Sequence, residues 1–127
     1  MSMMSDFLEN AMINTVLRGQ SYAAGSVYVG LFTVNPTDAN TEGEVTGASY
    51  VRQVVTFEVP LDGETSNTVD VLFPISTEAW GVVTHIGLFN AVTGGNMLFH
   101  APLEFEKTMN ISSQFKIPKN YLVVRLK

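Results

Sequence analysis

The first nineteen residues follow a different period from the rest of the chain. Phe7, Leu8, Ala11, Met12, Val16 and Leu17 recur at spacings of one, four and five, which places them on one face of a helix. Ser5 or Asp6 stands where a cap is needed, and Asp6 with Glu9 has capping-box spacing. Gly19 is placed to end the helix in a left-handed conformation. The pattern predicts a helix over 5–19. Two roles fit it: covering the domain's own core, or reaching out as an arm with Phe7, Leu8, Met12 and Val16 as contact residues on a neighbouring subunit.

After Gly25 the pattern becomes that of strands. Residues 26–34 (SVYVGLFTV) are β-branched and aromatic and end at Asn35-Pro36. A polar, glycine-punctuated loop follows over 35–49, long for a small domain, and such loops are usually either functional or mobile. Residues 50–59 alternate, with Val51, Gln53, Val55, Phe57 and Val59 as the expected inner face. Pro60 stops that strand by withholding a backbone donor. Residues 61–68 read as a turn region, and 69–74, 82–90, 94–101, 112–118 and 121–126 as further strands. The absence of later helices argues against a parallel sheet, whose crossovers need them. The expected fold is therefore mainly β: an antiparallel, jelly-roll-like sandwich of seven or eight strands behind one N-terminal helix. Residues 1–127 form one domain, with the helix at 5–19 and the sandwich at 26–127. One internal echo stands out: Val29-Gly30-Leu31-Phe32 returns as Ile86-Gly87-Leu88-Phe89. It suits either related positions in two packed sheets or coincidence in a chain of this composition.

Composition narrows the function. Apolar residues are 46% of the chain and charged residues 15%, against roughly 25% charged in ordinary globular proteins. Such a surface is common where protein meets protein. The net charge of −5 gives no footing on a phosphate backbone, so no nucleic-acid partner is expected. No stretch approaches the roughly 18 apolar residues that cross a bilayer, and MSMMSDFLEN has neither the basic start nor the apolar run of a signal peptide. With no cysteine there is no disulfide or thiolate chemistry.

The only histidines, His85 and His100, bracket an expected hairpin closed around Asn90–Gly95. If Asn90 faces Gly95, the two imidazoles oppose each other at about 5 Å between Cβ atoms. Two ligands do not make a zinc site, which takes three or four, and a slip of one residue would separate them onto opposite faces. Asp70 is the carboxylate that would complete such a set, although nothing in the order requires it. An ordinary structural pair is the expectation, with no metal and no cofactor. The acids Asp38, Glu42, Glu44, Asp62 and Glu64 fall in two polar loops without calcium-loop spacing. No nucleophile elbow, phosphate loop or dinucleotide fingerprint appears, so no enzyme is expected. Trp80 suits a core anchor, a subunit interface, or a platform for a sugar. A carbohydrate-binding module using Trp80, Tyr22, Tyr28 or Tyr50 is thus the competing class.

Several ordered segments resemble a family of small tailed-bacteriophage virion proteins. They are Val27–Thr33, Asn35–Asp38, Tyr50–Gln53, Thr65–Thr68, Phe73-Pro74, Ala79–Phe89, Thr93–Asn96 and Lys116–Pro118. The resemblance implies a β-sandwich structural protein without catalytic residues. His85 falls within the family's block and His100 outside it. Two placements follow. The first is a cement or decoration protein on the outer capsid surface, assembled in the host cytoplasm, with the major capsid protein as partner and a dimer or trimer as its own state. The second is a tail-fibre or tail-associated module, with a carbohydrate receptor as its ligand. Elements suited to reaching neighbours are the helix, the 35–49 loop with Asp38 and Glu42, Trp80, and the C-terminal strand with Tyr121, Arg125 and Lys127.

Overall fold

The computed structural model describes residues 3–38 and 42–126. Helix α1 runs over Asp6–Arg18. Ser5 caps it: its backbone is extended and its Oγ accepts from the Leu8 amide at 3.2 Å. Asp6 and Glu9 instead occupy the first turn, where negative charge suits the helix dipole. Gly19 ends the helix at φ 70°, as expected. The expected apolar face is only partly used. Leu8 is buried and Ala11 and Met12 are half-buried, whereas Phe7, Val16 and Leu17 are exposed. The reason is geometric. Apolar residues encircle the helix, Ile13 included, and the body meets it mainly through the first turns.

Nine strands are described. β1 is Met3–Met4, β2 Val27–Phe32, β3 Gln53–Val55, β4 Glu64–Ser66, β5 Val71–Leu72, β6 Gly81–Phe89, β7 Met97–Met109, β8 Lys116–Ile117 and β9 Val123–Arg125. A five-stranded antiparallel sheet has the order β1-β7-β6-β2-β3. The pairs β4–β9 and β5–β8 form two separate ribbons. Val29, Leu31, Ile86 and Leu88 of the sheet share one core with Val71, Ile117 and Val124 of the ribbons. The fold is mainly β with one N-terminal helix, and the layer opposite the large sheet is split in two.

The strand expected over 50–59 shortens to β3. Val55 is buried, but Val51 is 41% and Val59 90% exposed, while Tyr50 and Arg52 turn inward. Polar pairing, described below, decides which side faces in. The turn region 61–68 contains β4, whose Thr65 and Ser66 pair with Val124 and Val123.

The echo has a definite meaning. β2 and β6 are neighbours in one sheet, not counterparts in two, and Gly30 stands directly opposite Gly87. A Cβ on Gly87 would lie 2.8 Å from the Phe32 ring and 3.0 Å from that of Phe89. The two glycines thus clear a floor on which Phe32 and Phe89 lie stacked, with centroids 5.9 Å apart. Met97 completes this second, smaller cluster.

The hairpin register differs from expectation by two residues. Asn90 pairs with Asn96, donating its amide to the Asn96 carbonyl at 3.1 Å, so the loop holds one more residue. A bulge at Leu98 adds another, because Leu88 opposes Phe99 while Phe89 opposes Met97. His85 therefore faces Pro102, and His100 faces Gly87. Further along, Val83 opposes Lys107, so residues 103–106 swing away from β6 and leave Phe105 80% exposed.

Candidate functional site

The molecule carries three polar constructions and one set of bare apolar surfaces. The first polar construction centres on Arg52. Its Nε and Nη2 donate to the two oxygens of Glu44, both at 2.8 Å. Its Nη1 donates to the carbonyls of Ala91 at 2.9 Å and Gly94 at 2.8 Å. The guanidinium lies 3.5 Å from the centroid of Phe89. Tyr50 donates its hydroxyl to Glu44 at 2.6 Å and accepts from the Leu31 amide at 3.0 Å. Burial first, and the Glu44 carboxylate second, hold the Tyr50 phenol far above its ordinary pKa. This assembly ties the segment around 44–52 to the hairpin tip. Its polar groups are occupied by one another, so it is a brace.

The second construction surrounds Trp80, which is 5% exposed. Its indole donates to the Ala48 carbonyl at 3.1 Å, and its ring meets the Tyr50 ring edge-on at 5.5 Å. Tyr50 in turn stacks on Phe73. Gly47 lets the backbone approach, since a Cβ there would sit 2.4 Å from the indole. Trp80 is thus a core anchor; it is not an exposed contact residue. Neither it nor Tyr50 offers a free ring to a sugar. Tyr28 is half-buried, and Tyr22 is exposed.

The third construction holds the N-terminal segment. Ser5 donates its amide to the Leu98 carbonyl at 2.9 Å and its hydroxyl to that of Met97 at 2.5 Å. The Asp6 amide donates to the Asp38 carbonyl at 3.1 Å. The Asp38 carboxylate lies 2.7 Å from Nε2 of His100, whose side chain is almost wholly buried. Among the described residues, the Nδ1 of His100 has no hydrogen-bond partner. His85 lies two residues along from Gly87, so the histidines are staggered on one face. It contacts the Thr84 hydroxyl at 2.8 Å. Partial burial, then His100, lowers its pKa from the ordinary imidazole range. Asp70 belongs elsewhere, with Lys116 at 3.5 Å and the Lys119 amide at 2.8 Å. That ammonium and amide lower its carboxyl pKa, the amide more. The opposed histidine pair with Asp70 does not form. The carboxylates of Asp6, Glu9 and Asp38 do come within 4.8 Å of one another, all at the surface.

The apolar surfaces are the remaining feature. On α1, Ile13, Val16 and Leu17 are 52%, 71% and 77% exposed. A second surface is a groove of about 470 Å³ between β7 and the segment before β9, lined by Ala101, Leu103, Glu104, Ile117, Tyr121 and Leu122 among others. Tyr121 stands 76% exposed on its rim. Of the other expected contact residues, Glu42 is exposed and Arg125 is paired with Glu64 at 2.7 Å. Lys127 lies outside the described residues. The C-terminal strand already pairs along one edge with β4 of its own chain. Sequence reasoning missed the groove, because it arises where 103–106 leave β6, and nothing in the local pattern marks that departure.

The described residues thus form a strand-built body whose polar networks brace its loops and which leaves apolar surface bare on α1 and along the groove. Residues 3–125 match the family described as podophage GP4 fibre I protein gp80. The chain belongs to this family of tailed-phage virion structural proteins. No curated protein matches it.

Proposed function

We propose that this chain is a non-catalytic structural subunit of the phage fibre or tail, built into the particle through its exposed apolar surfaces. The observation that carries this reading is the family match, which spans 3–125 and bears a fibre protein's description. The physical features agree with it. The charged brace around Arg52 and the core seat of Trp80 stiffen the loops, as a load-carrying module requires. The bare face of α1 and the Tyr121 groove supply contact area. No cofactor is needed for such a role, and neither nucleic acid nor membrane is a partner. A cement role on the capsid shell would use the same surfaces against the major capsid protein, but the fibre description favours the tail.

The test is gold-labelled antibody against this chain on intact particles. Label at the tail or its fibres is the expected result. Label spread over the head would overturn the fibre placement in favour of a shell protein, and unlabelled particles would overturn the structural role altogether.

A further inference from the structure

The N-terminal arm, residues 3–18, is fastened to the body at one end. Met3 and Met4 of β1 pair with His100 and Phe99 of β7. Ser5 bonds to the carbonyls of Leu98 and Met97, and the Asp6 amide to that of Asp38. Leu8 is buried, and Ala11 and Met12 are half-buried. From Thr15 onward every residue of α1 is exposed. The connection to β2, residues 19–26, is exposed at all eight positions. Nothing lies within 4 Å of a Cβ added to Gly19 or Gly25. Among the described residues its backbone bonds run to Asn14 of α1 and from Ala24 to Tyr22, with none to the sheet. Extended, eight residues reach roughly 27 Å. The grip of the arm on β7 therefore does not depend on which chain the connection leads to.

We infer that copies of this chain exchange their arms, residues 3–18 of one copy seating on β7 of a second copy and the second copy returning the contact. Exchange keeps every anchor bond, because the same residues meet the same strand. The seat and the arm fit each other in this structure, which selects a second copy over an unrelated partner. What changes lies around the connections, which pass each other at the two-fold axis of a reciprocal pair. The last turns of α1 adjoin them and come closest there. Those turns carry Ile13, Val16 and Leu17, which are 52%, 71% and 77% exposed in the single chain. Each copy's apolar face then covers the other's, and that burial favours the exchanged form. Glu9 shares the face but lies seven residues before Val16, about 10 Å nearer the anchor, and stays clear of the crossing. The inference rests on the reading of the chain as an assembling subunit and goes beyond it by naming the contact.

The chain has no cysteine, so a disulfide can be placed where only two chains can form it. Asp6→Cys and Asp38→Cys proteins are co-expressed, purified together and oxidised. Both positions are exposed, and the 3.1 Å bond between their backbones brings them within disulfide reach. Circular dichroism checks folding. The expected product is a chain-to-chain 6–38 cross-link, identified by peptide mass, with none when Val59→Cys replaces Asp38→Cys. Light scattering of the unmodified chain is recorded in parallel and should show a dimer. Leu17→Glu, at an exposed position, should raise the dimer dissociation constant about tenfold or more while the chain stays folded. A folded sample without the 6–38 product overturns the inference. So does an unmodified chain that is monomeric at every concentration, or a dimer that Leu17→Glu leaves unchanged. Each of these results leaves the antibody test of the particle untouched, so the two failures are distinguishable.

Discussion

Replacing Gly87 by alanine tests the paired-glycine floor with a single methyl group. That carbon would stand 2.8 Å from Phe32 Cε1, 3.0 Å from Phe89 Cε1 and 3.3 Å from Met97 Sδ. The two rings are at most 1% exposed and stacked on each other, so neither can retreat without moving the other. Overpacking of this kind costs about 2 kcal/mol. For a chain of 127 residues that corresponds to a drop of about 7 °C in Tm. Gly25→Ala is the control, because nothing lies within 4 Å of its added carbon, and its effect should stay within about 0.5 kcal/mol. Phe32→Leu in the Gly87→Ala background should cost less than Phe32→Leu alone, with a coupling of about 1 kcal/mol. Calorimetry reads the parent and all four variants. A Gly87→Ala protein melting within about 1 °C of the parent, or two substitutions that simply add, would refute the argument.

Other expectations follow from the braces. Arg52→Ala leaves Glu44 and the Tyr50 hydroxyl without their cation and should cost about 3 kcal/mol in urea unfolding; lysine will not rescue it, because the bidentate fork is lost. Ser5→Ala removes the helix cap and the bond to the Met97 carbonyl. Amides of α1 should then exchange faster by the equivalent of about 1–2 kcal/mol, while those of β6 stay protected. For His85 the folded pKa is lowered, so the unfolded chain binds the proton more readily. The contribution of His85 is present above its ordinary pKa of about 6.5 and is lost as pH falls through the lower folded value. A Tm-versus-pH scan should show this decline, and His85→Gln should flatten it.

The helix, its glycine stop and the mainly-β body were legible because each rests on local signals: a cap, a left-handed glycine, and β-branched runs between Pro and Gly. β1 was not, since two residues carry no period. The 50–59 alternation misled because the Arg52–Glu44 pair and the Tyr50 hydroxyl outweigh the exposure of Val51 and Val59. The opposed histidines failed on two single-residue events, a longer turn and the Leu98 bulge, neither of which the sequence pattern announces. Trp80 suited a core anchor or a subunit interface better than a sugar platform, and Gly47 and Ala48, which close over it, make it the anchor. The echo of Val29–Phe32 in Ile86–Phe89 was visible, but its meaning as a pair of facing glycines needed the strand order.

Hydrogen exchange on the free chain and on the same chain within purified particles measures the central claim most directly. Amides of α1 over 13–18, and those bordering the groove near 101–104 and 121–123, should exchange much more slowly in the particle than in the free protein. Equal exchange in both, or a particle that lacks the chain, would contradict the claim that these apolar surfaces exist to be covered in a virion.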